Sequence, residues 1–540
     1  VTWRRRTRVP AALISAVILA VGGCSGGTDS APGVARGAPA GAERGAPFVY
    51  SSNVDVVTDW DPATSYSNEI IALQNVYESL TRYDSRSRRV TPLLATEWTA
   101  SRDGRTWTFT LRDGVRFHTG RTLDATAAKE AIERTIAMKG RPANIWAAVR
   151  RITAEDPRTL VFSLAYAAPL DLIAAAGYAA YIYDTRVAPG QDLREWFEAG
   201  RDTGTGPYTV ASWHRGQETE LRLGAVRDYW GGWAGAHYRD VEFRVTPEVT
   251  TAWQLLRRGE VTFADRLSPQ LFAQAEHTRN VRTTRTTSFQ NLLALFNTAS
   301  GPLTDPRVRK AVQRAVDYDG LVAALRGAAA PASGLVPRGL LGHVSRLRAH
   351  QDLAGAARLL AEAGYGPGRR PLDLTLTYAQ GDQDQQLFVT LLTSALSVLG
   401  VRLDARPMQW TAQWSQAGSR DKGERQDIFV MYWFPDYPDG YSWFGNLIHS
   451  ADPPRFNLTY DADKAVDTEI DRLPRLTATD RGAAQRAYGG LQRRVLADAA
   501  IMAVPFVRNY QRAYGAGVQG YRDNPAYPGV VFVHGLRPGS

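Results

Sequence analysis

The chain has 540 residues, 44% of them hydrophobic and 22% charged, and carries a net charge of +10. That length is too great for one ordinary domain, and the composition is globular, so fibrous and largely disordered classes are excluded. A single cysteine excludes a disulfide framework and any cysteine-rich zinc or iron–sulfur site.

Arg4, Arg5, Arg6 and Arg8 form a basic N-terminal region. Without them the balance is about +6, spread along the chain with no basic run, so nucleic acid is not an expected partner. Val9 to Val21 is an apolar run of about 13 residues, too short to span a bilayer as a helix but of signal-peptide length. Val21-Gly22-Gly23-Cys24-Ser25 closes it with small residues before the only cysteine. This resembles a bacterial lipobox, which implies cleavage before Cys24 and a diacylglycerol on its thiol, enough for stable anchoring. The alternative is an ordinary secretory signal with an incidental cysteine; export by the general or the twin-arginine route is left open. Residues 1–24 are therefore expected to be a lipoprotein signal peptide. The Gly/Ala/Pro-rich residues 25–46 are expected to be a flexible tether. No later stretch is long and apolar enough to span. The body is expected on the extracytoplasmic face, held to the membrane by its lipid anchor only.

Ile70, Leu73, Tyr77 and Leu80 recur at helical spacing and predict one helix. Trp107, Phe109 and Leu111 alternate, Arg112-Asp113-Gly114 reads as a turn, and Val115 and Phe117 alternate again, predicting a β-hairpin over 106–118. Asp124 caps a predicted helix from about 125 to 138, and Thr159 to Leu164 reads as a strand. Asp305-Pro306 opens a helix whose stripe is Val308, Ala311, Val312, Ala315 and Val316. A helix over 352–363 stops at Gly364. Leu372, Leu374 and Leu376 read as a strand, 384–399 as a helix and 401–403 as a strand. That β-α-β unit predicts parallel strands. Asp427 to Trp433 is a nearly continuous apolar run, as a buried strand requires. The loop from Phe434 to Tyr441 then lies at a strand's carboxyl end, where open α/β sheets bind ligands.

No catalytic constellation is present: no H-E-x-x-H, no G-x-S-x-G, no Walker A. The eight histidines are scattered, and no metal site or cofactor is expected. Gly204-Thr205-Gly206 imitates a phosphate loop, but Pro207 and the alternating Tyr208-Thr209-Val210 predict a turn into a strand. Aromatics beside strand ends, Trp410, Trp433, Tyr437, Tyr441 and Trp443, together with a carboxylate suit an amphiphilic ligand with a positive charge. A packed aromatic cluster beside a solvated acidic loop is the other reading.

Ordered landmarks resemble one family, the peptide/nickel class of solute-binding proteins of ABC importers. They are Asp61-Pro62, Val76-Tyr77-Glu78-Ser79-Leu80, Pro92 to Trp98, Asp103 to Arg112, Gly114 to His118, Gly204 to Tyr208, Asn297, Asp305 to Ala311, Ala361 to Tyr365 and Asp436 to Asp439. The resemblance implies an α/β fold of the periplasmic-binding-protein type II, two lobes around a ligand cleft with an additional inserted domain. Lobe one would comprise 47–91, 203–288 and 506–540, the inserted domain 92–202 and lobe two 289–505. It implies a non-enzymatic, monomeric receptor that captures oligopeptides for an ABC permease. A metal chelate or other non-peptide solute is the alternative ligand. A secreted hydrolase and a peptide-sensing surface protein are the readings from other classes. Asp436 matches the family's acid for a peptide α-ammonium, with Asp439 as the second candidate. Trp433 and Trp410 match pocket-lining positions, with Tyr432, Phe434 and Tyr437 beside them. Tyr66, Ser67, Asp265 and Arg266 match edges of the cleft on lobe one.

Overall fold

The computed structural model describes residues 45–187, 190–451 and 456–539. The expected signal peptide, Cys24 and all but the last two residues of the expected tether lie outside them. No helix of the described residues is long and apolar enough to cross a membrane.

One eleven-stranded sheet runs through the molecule. In one half, Phe48–Ser52 lies parallel to both Asp240–Val245 and Phe263–Ala264, and Thr219–Ala225 and Tyr208–Trp213 extend the sheet antiparallel. In the other half, Leu372–Ala379 lies parallel to both Val401–Met408 and Ile428–Trp433. The helix Gln383–Val398 makes the crossover that the β-α-β pattern requires. The expected helices at 125 and 306 are present, with the Asp124 and Asp305 side chains capping them.

Two long antiparallel strands, Val281–Phe296 and Met502–Gly515, join the halves. Phe263–Ala264 pairs with the end of the second, and Ile428–Trp433 pairs with the end of the first. Between Thr287 and Asn291 their register slips. A slip leaves ladder groups unpaired and bends the pair where the two halves meet.

A separate four-stranded antiparallel sheet takes the order Ala95–Ala100, Thr106–Leu111, Thr159–Leu164, Val149–Asp156, with the helix Ala125–Ala137 packed on it. Its core is aromatic: Trp146 stacks on Phe162, and Phe109 meets Phe162 edge to face.

Two local expectations fail, both through tertiary pairing. The helix begun at Ile70 ends at Val76. The Val76 carbonyl accepts the Gly206 N–H at 2.9 Å, and Glu78–Ser79 pairs as a strand with Tyr181–Ile182. Leu73 and Tyr77 enter the main core while Leu80 enters that of the smaller sheet, so the apolar pattern served two cores. Gly204 and Gly206 permit this junction: a Cβ would lie 2.0 Å and 2.6 Å from the Val76 carbonyl oxygen. Nor do residues 106–118 form a hairpin. Thr106–Leu111 pairs with Ala95–Ala100 and Thr159–Leu164, while Val115 and Phe117 are buried in the same core without pairing with it. Alternation marked the buried face but not the partner.

Candidate functional site

The carboxyl ends of the parallel strands in the two halves face one another across the long strand pair. Phe263–Ala264 runs antiparallel to Met502–Gly515, and Ile428–Trp433 runs antiparallel to Val281–Phe296, so both run toward the register slip between Thr287 and Asn291. Loops at such strand ends are where an α/β sheet binds ligands. On one side they carry Asp265 and Arg266, and on the other the run Phe434 to Gly440.

Asp436 is partly exposed at the start of that run. Its carboxylate accepts from Tyr178 Oη at 2.6 Å, Asn446 Nδ2 at 2.9 Å and Ser442 Oγ at 3.0 Å. Ser442 Oγ also accepts the Trp433 indole N–H at 3.2 Å, tying the strand's last residue to the acid. All three donors to Asp436 are neutral, and no cationic side chain bonds it among the described residues. Tyr178 belongs to the segment after the helix Leu170–Ile173, 258 positions from the acid along the chain. Its buried hydroxyl has its pKa pushed well up by burial and by the Asp436 charge.

Asp439 sits differently. It is fully buried, accepts from Tyr488 Oη at 3.1 Å, and receives backbone N–H groups of Gly440 and Tyr441. Burial pushes its carboxyl up to about 7, against those hydrogen bonds. It lies in the interior, whereas Asp436 is partly exposed.

Trp433 is nearly buried and packs edge-on against Phe456. Phe434 is partly buried against the same core. Tyr437 crosses into the core of the smaller sheet. Trp410, 48% exposed, leans on Trp414 with ring centroids 5.4 Å apart, a large apolar face left open. Tyr432 points the other way, as strand alternation demands. Its hydroxyl donates to Asp382 at 3.3 Å, and the Arg508 guanidinium lies 5.0 Å from its ring centre. Arg508 in turn reaches Asp384 at 3.3 Å. Tyr66, 53% exposed, and Ser67 stand on the loop before Ile70. Asp265 pairs with the buried Arg512, while Arg266 is exposed. The structure thus gathers Asp436 and Trp433 around Ser442, and no hydrogen bond of the described residues links Tyr66, Ser67, Asp265 or Arg266 to that group.

Sequence reasoning missed Tyr178, Ser442 and Asn446. Ser442 and Asn446 had a local signal, being four apart on the helix Tyr441–Leu447 that follows the loop. Tyr178 had none. Among the described residues no group of three or more His, Cys, Asp or Glu is placed to hold a metal ion.

The profile of the family described as "Bacterial extracellular solute-binding proteins, family 5 Middle" matches residues 89–454. The Escherichia coli (strain K12) protein named "Probable D,D-dipeptide-binding periplasmic protein DdpA" is 27% identical over 476 residues, covering 86% of this chain and 89% of its own. Among solved structures, NikA from Brucella suis in complex with Fe(III)-EDTA matches with a TM-score of 0.78 at 21% identity, over 91% of this chain and 99% of its own. DppA from Helicobacter pylori in complex with the peptide STSA matches with a TM-score of 0.71 at 21% identity, over 91% of this chain and 98% of its own.

Proposed function

The chain belongs to family 5 of the bacterial extracellular solute-binding proteins, and on that premise we propose that it captures oligopeptides between its lobes and delivers them to an ABC permease. Its fold is the type II periplasmic-binding-protein fold with an additional domain, and members of the family bind solutes rather than catalyse reactions. In our division, lobe one is 47–91 with 203–288 and 506–540, the additional domain 92–202 and lobe two 289–505. The lobes close about the slip between Thr287 and Asn291.

Asp436 carries the reading. Its carboxylate is held by three neutral donors and is paired with no cation of the described residues. A peptide α-ammonium supplies the missing positive charge, and the open face of Trp410 suits an apolar side chain. A charge-assisted hydrogen bond in a closed cleft contributes about 1.5–3 kcal/mol, and leaving one partner buried alone costs about 2–5 kcal/mol. Asp436→Asn should therefore weaken peptide binding about tenfold to thousandfold. Titration calorimetry with free and N-acetylated peptides on wild type and Asp436→Asn tests it. Acetylation should cost affinity in the wild type and little more in the variant. Additive losses would disprove the pair.

Anchoring is proposed on the sequence pattern around Cys24. Cys24→Ala should release the protein to the medium or block its processing; unchanged membrane retention and mass would refute the anchor.

A further inference from the structure

In our division the additional domain, 92–202, is an insertion into lobe one. The chain enters it from lobe one and returns to lobe one, so no covalent connection joins it directly to lobe two. It touches both lobes, and the two contacts differ in kind.

Against lobe one the contact is buried and rich in hydrogen bonds. Glu78–Ser79 pairs as a strand with Tyr181–Ile182. Gln74 Nε2 donates to the Gly177 carbonyl and Tyr527 Oη to the Ala175 carbonyl, each at 2.9 Å. Arg134 Nη1 and Nη2 grip the Asp61 carboxylate at 2.7 and 2.6 Å. Separating such a contact would strand several buried polar groups at once, so the additional domain moves with lobe one.

Against lobe two the polar contact rests on two bonds, Tyr178 to Asp436 and Arg481 to Asp171. The Asp171 side chain, on the helix Leu170–Ile173, is 7% exposed, and that of Arg481 is 51% exposed. Arg481 Nη2 makes the one hydrogen bond to the Asp171 carboxylate among the described residues, at 2.6 Å on Oδ2. Asp171 is thus a nearly buried charge that depends on a single partner, and such a charge is unfavourable alone. Arg481 is the first residue of the helix Arg481–Gln492, where the helix dipole disfavours a cation. Its own helix gives no reason for an arginine there; the facing acid does. Beside the pair, the additional domain approaches so closely that a Cβ on Gly104 would lie 3.1 Å from the Ala478 Cβ.

We infer that the additional domain is a latch. It rides on lobe one, docks on lobe two through the pair of Asp171 with Arg481, and holds the cleft shut before a ligand is bound. Ligand entry then requires the pair to part, so the pair sets the share of open molecules. The latch rests on the two-lobe reading and is independent of which ligand the cleft takes.

The experiment uses the unliganded full chain, as wild type, Arg481→Gln, Arg481→Lys and Arg314→Gln. Arg314 forms a comparably exposed pair with Asp352 inside lobe two and is the control. Small-angle scattering measures the radius of gyration, and amide hydrogen exchange is followed by mass spectrometry. Arg481→Gln should enlarge the radius and speed exchange severalfold around both Gly104 and Tyr178, neither of which bonds to Arg481. Arg481→Lys, which keeps the charge, should restore most of the wild-type radius, and Arg314→Gln should leave it unchanged. A wild-type radius in Arg481→Gln, or faster exchange confined to the helix that Arg481 opens, overturns the latch. Should Arg481→Gln fail to fold, the wild type at about 1 M salt, where the Debye length is about 3 Å, decides: expansion supports the latch and an unchanged radius overturns it. No ligand enters the measurement, so a failed latch leaves the peptide reading standing, and a non-peptide ligand leaves the latch standing.

Discussion

Tyr178 Oη donates to Asp436 Oδ1 at 2.6 Å across 258 positions of the chain. In our division the bond joins the additional domain to lobe two, as do the ion pair of Asp171 with Arg481 at 2.6 Å and the insertion of Tyr437 into the smaller core. The acid proposed to meet the ligand is thus also part of what holds the bodies together.

Tyr178→Phe removes that bond while keeping the ring. A hydrogen bond to a charged group contributes about 1.5–3 kcal/mol, so the variant should lose stability of about that size. If that bond holds the two segments together, the unliganded protein should also expand. Small-angle scattering of wild type and variant without ligand checks this; identical radii would show that the bond does not hold the bodies closed.

His118 and Asp202 form a buried pair, with the His118 Nδ1 on the Asp202 carboxylate and Nε2 2.9 Å from the Gly206 carbonyl. Both ring nitrogens face acceptors, so both carry protons. Burial pulls the imidazole pKa down, but the Asp202 charge and the hydrogen bonds outweigh it and hold it above its ordinary value. The pair's contribution through His118 is complete below about pH 6.5 and is lost as pH rises through the higher folded value. Asp202 is held below the usual carboxylate range, burial being outweighed by His118. Its contribution is present above about pH 4 and is lost as pH falls through the folded value. His118→Ala should cost about 3–5 kcal/mol near neutrality and remove the alkaline limb. Urea unfolding across pH 5–9 measures both.

Asp439 acts with the opposite sign. Its folded pKa, about 7, lies above that of the unfolded chain, so the folded state holds the proton longer. Stability therefore falls as pH rises from about 4 to 7. Asp439→Asn should flatten that slope and leave peptide binding unchanged, since Asp439 faces Tyr488 and not the cleft. An undiminished slope in denaturant titrations at pH 5 and 8 would refute the assignment.

Gly204→Ala should prevent folding or cost more than about 3 kcal/mol. The new Cβ would meet the Val76 carbonyl oxygen at 2.0 Å, a backbone atom that no rotamer change can move. Gly224→Ala, with open space around its Cβ, is the control and should be nearly neutral by thermal unfolding.

Several local signals were enough for the sequence alone to determine the structure. The caps at Asp124 and Asp305, the parallel unit from Leu372 to Val401 and the buried strand ending at Trp433 all rest on neighbours a few residues apart. The ordered landmarks carried the family, and the resemblance preferred Asp436 while keeping Asp439 as the second candidate. What the tertiary structure decided was pairing at long range. Leu80 left its helix because Glu78–Ser79 found Tyr181–Ile182. Asp436 and Asp439, three residues apart, were equivalent as letters. One turned to Tyr178 and the open side, the other to Tyr488 and the interior. Periodicity reports which face of an element is buried. It carries no information about which distant segment covers that face, and the burial of Asp439 and the exposure of Asp436 were decided there.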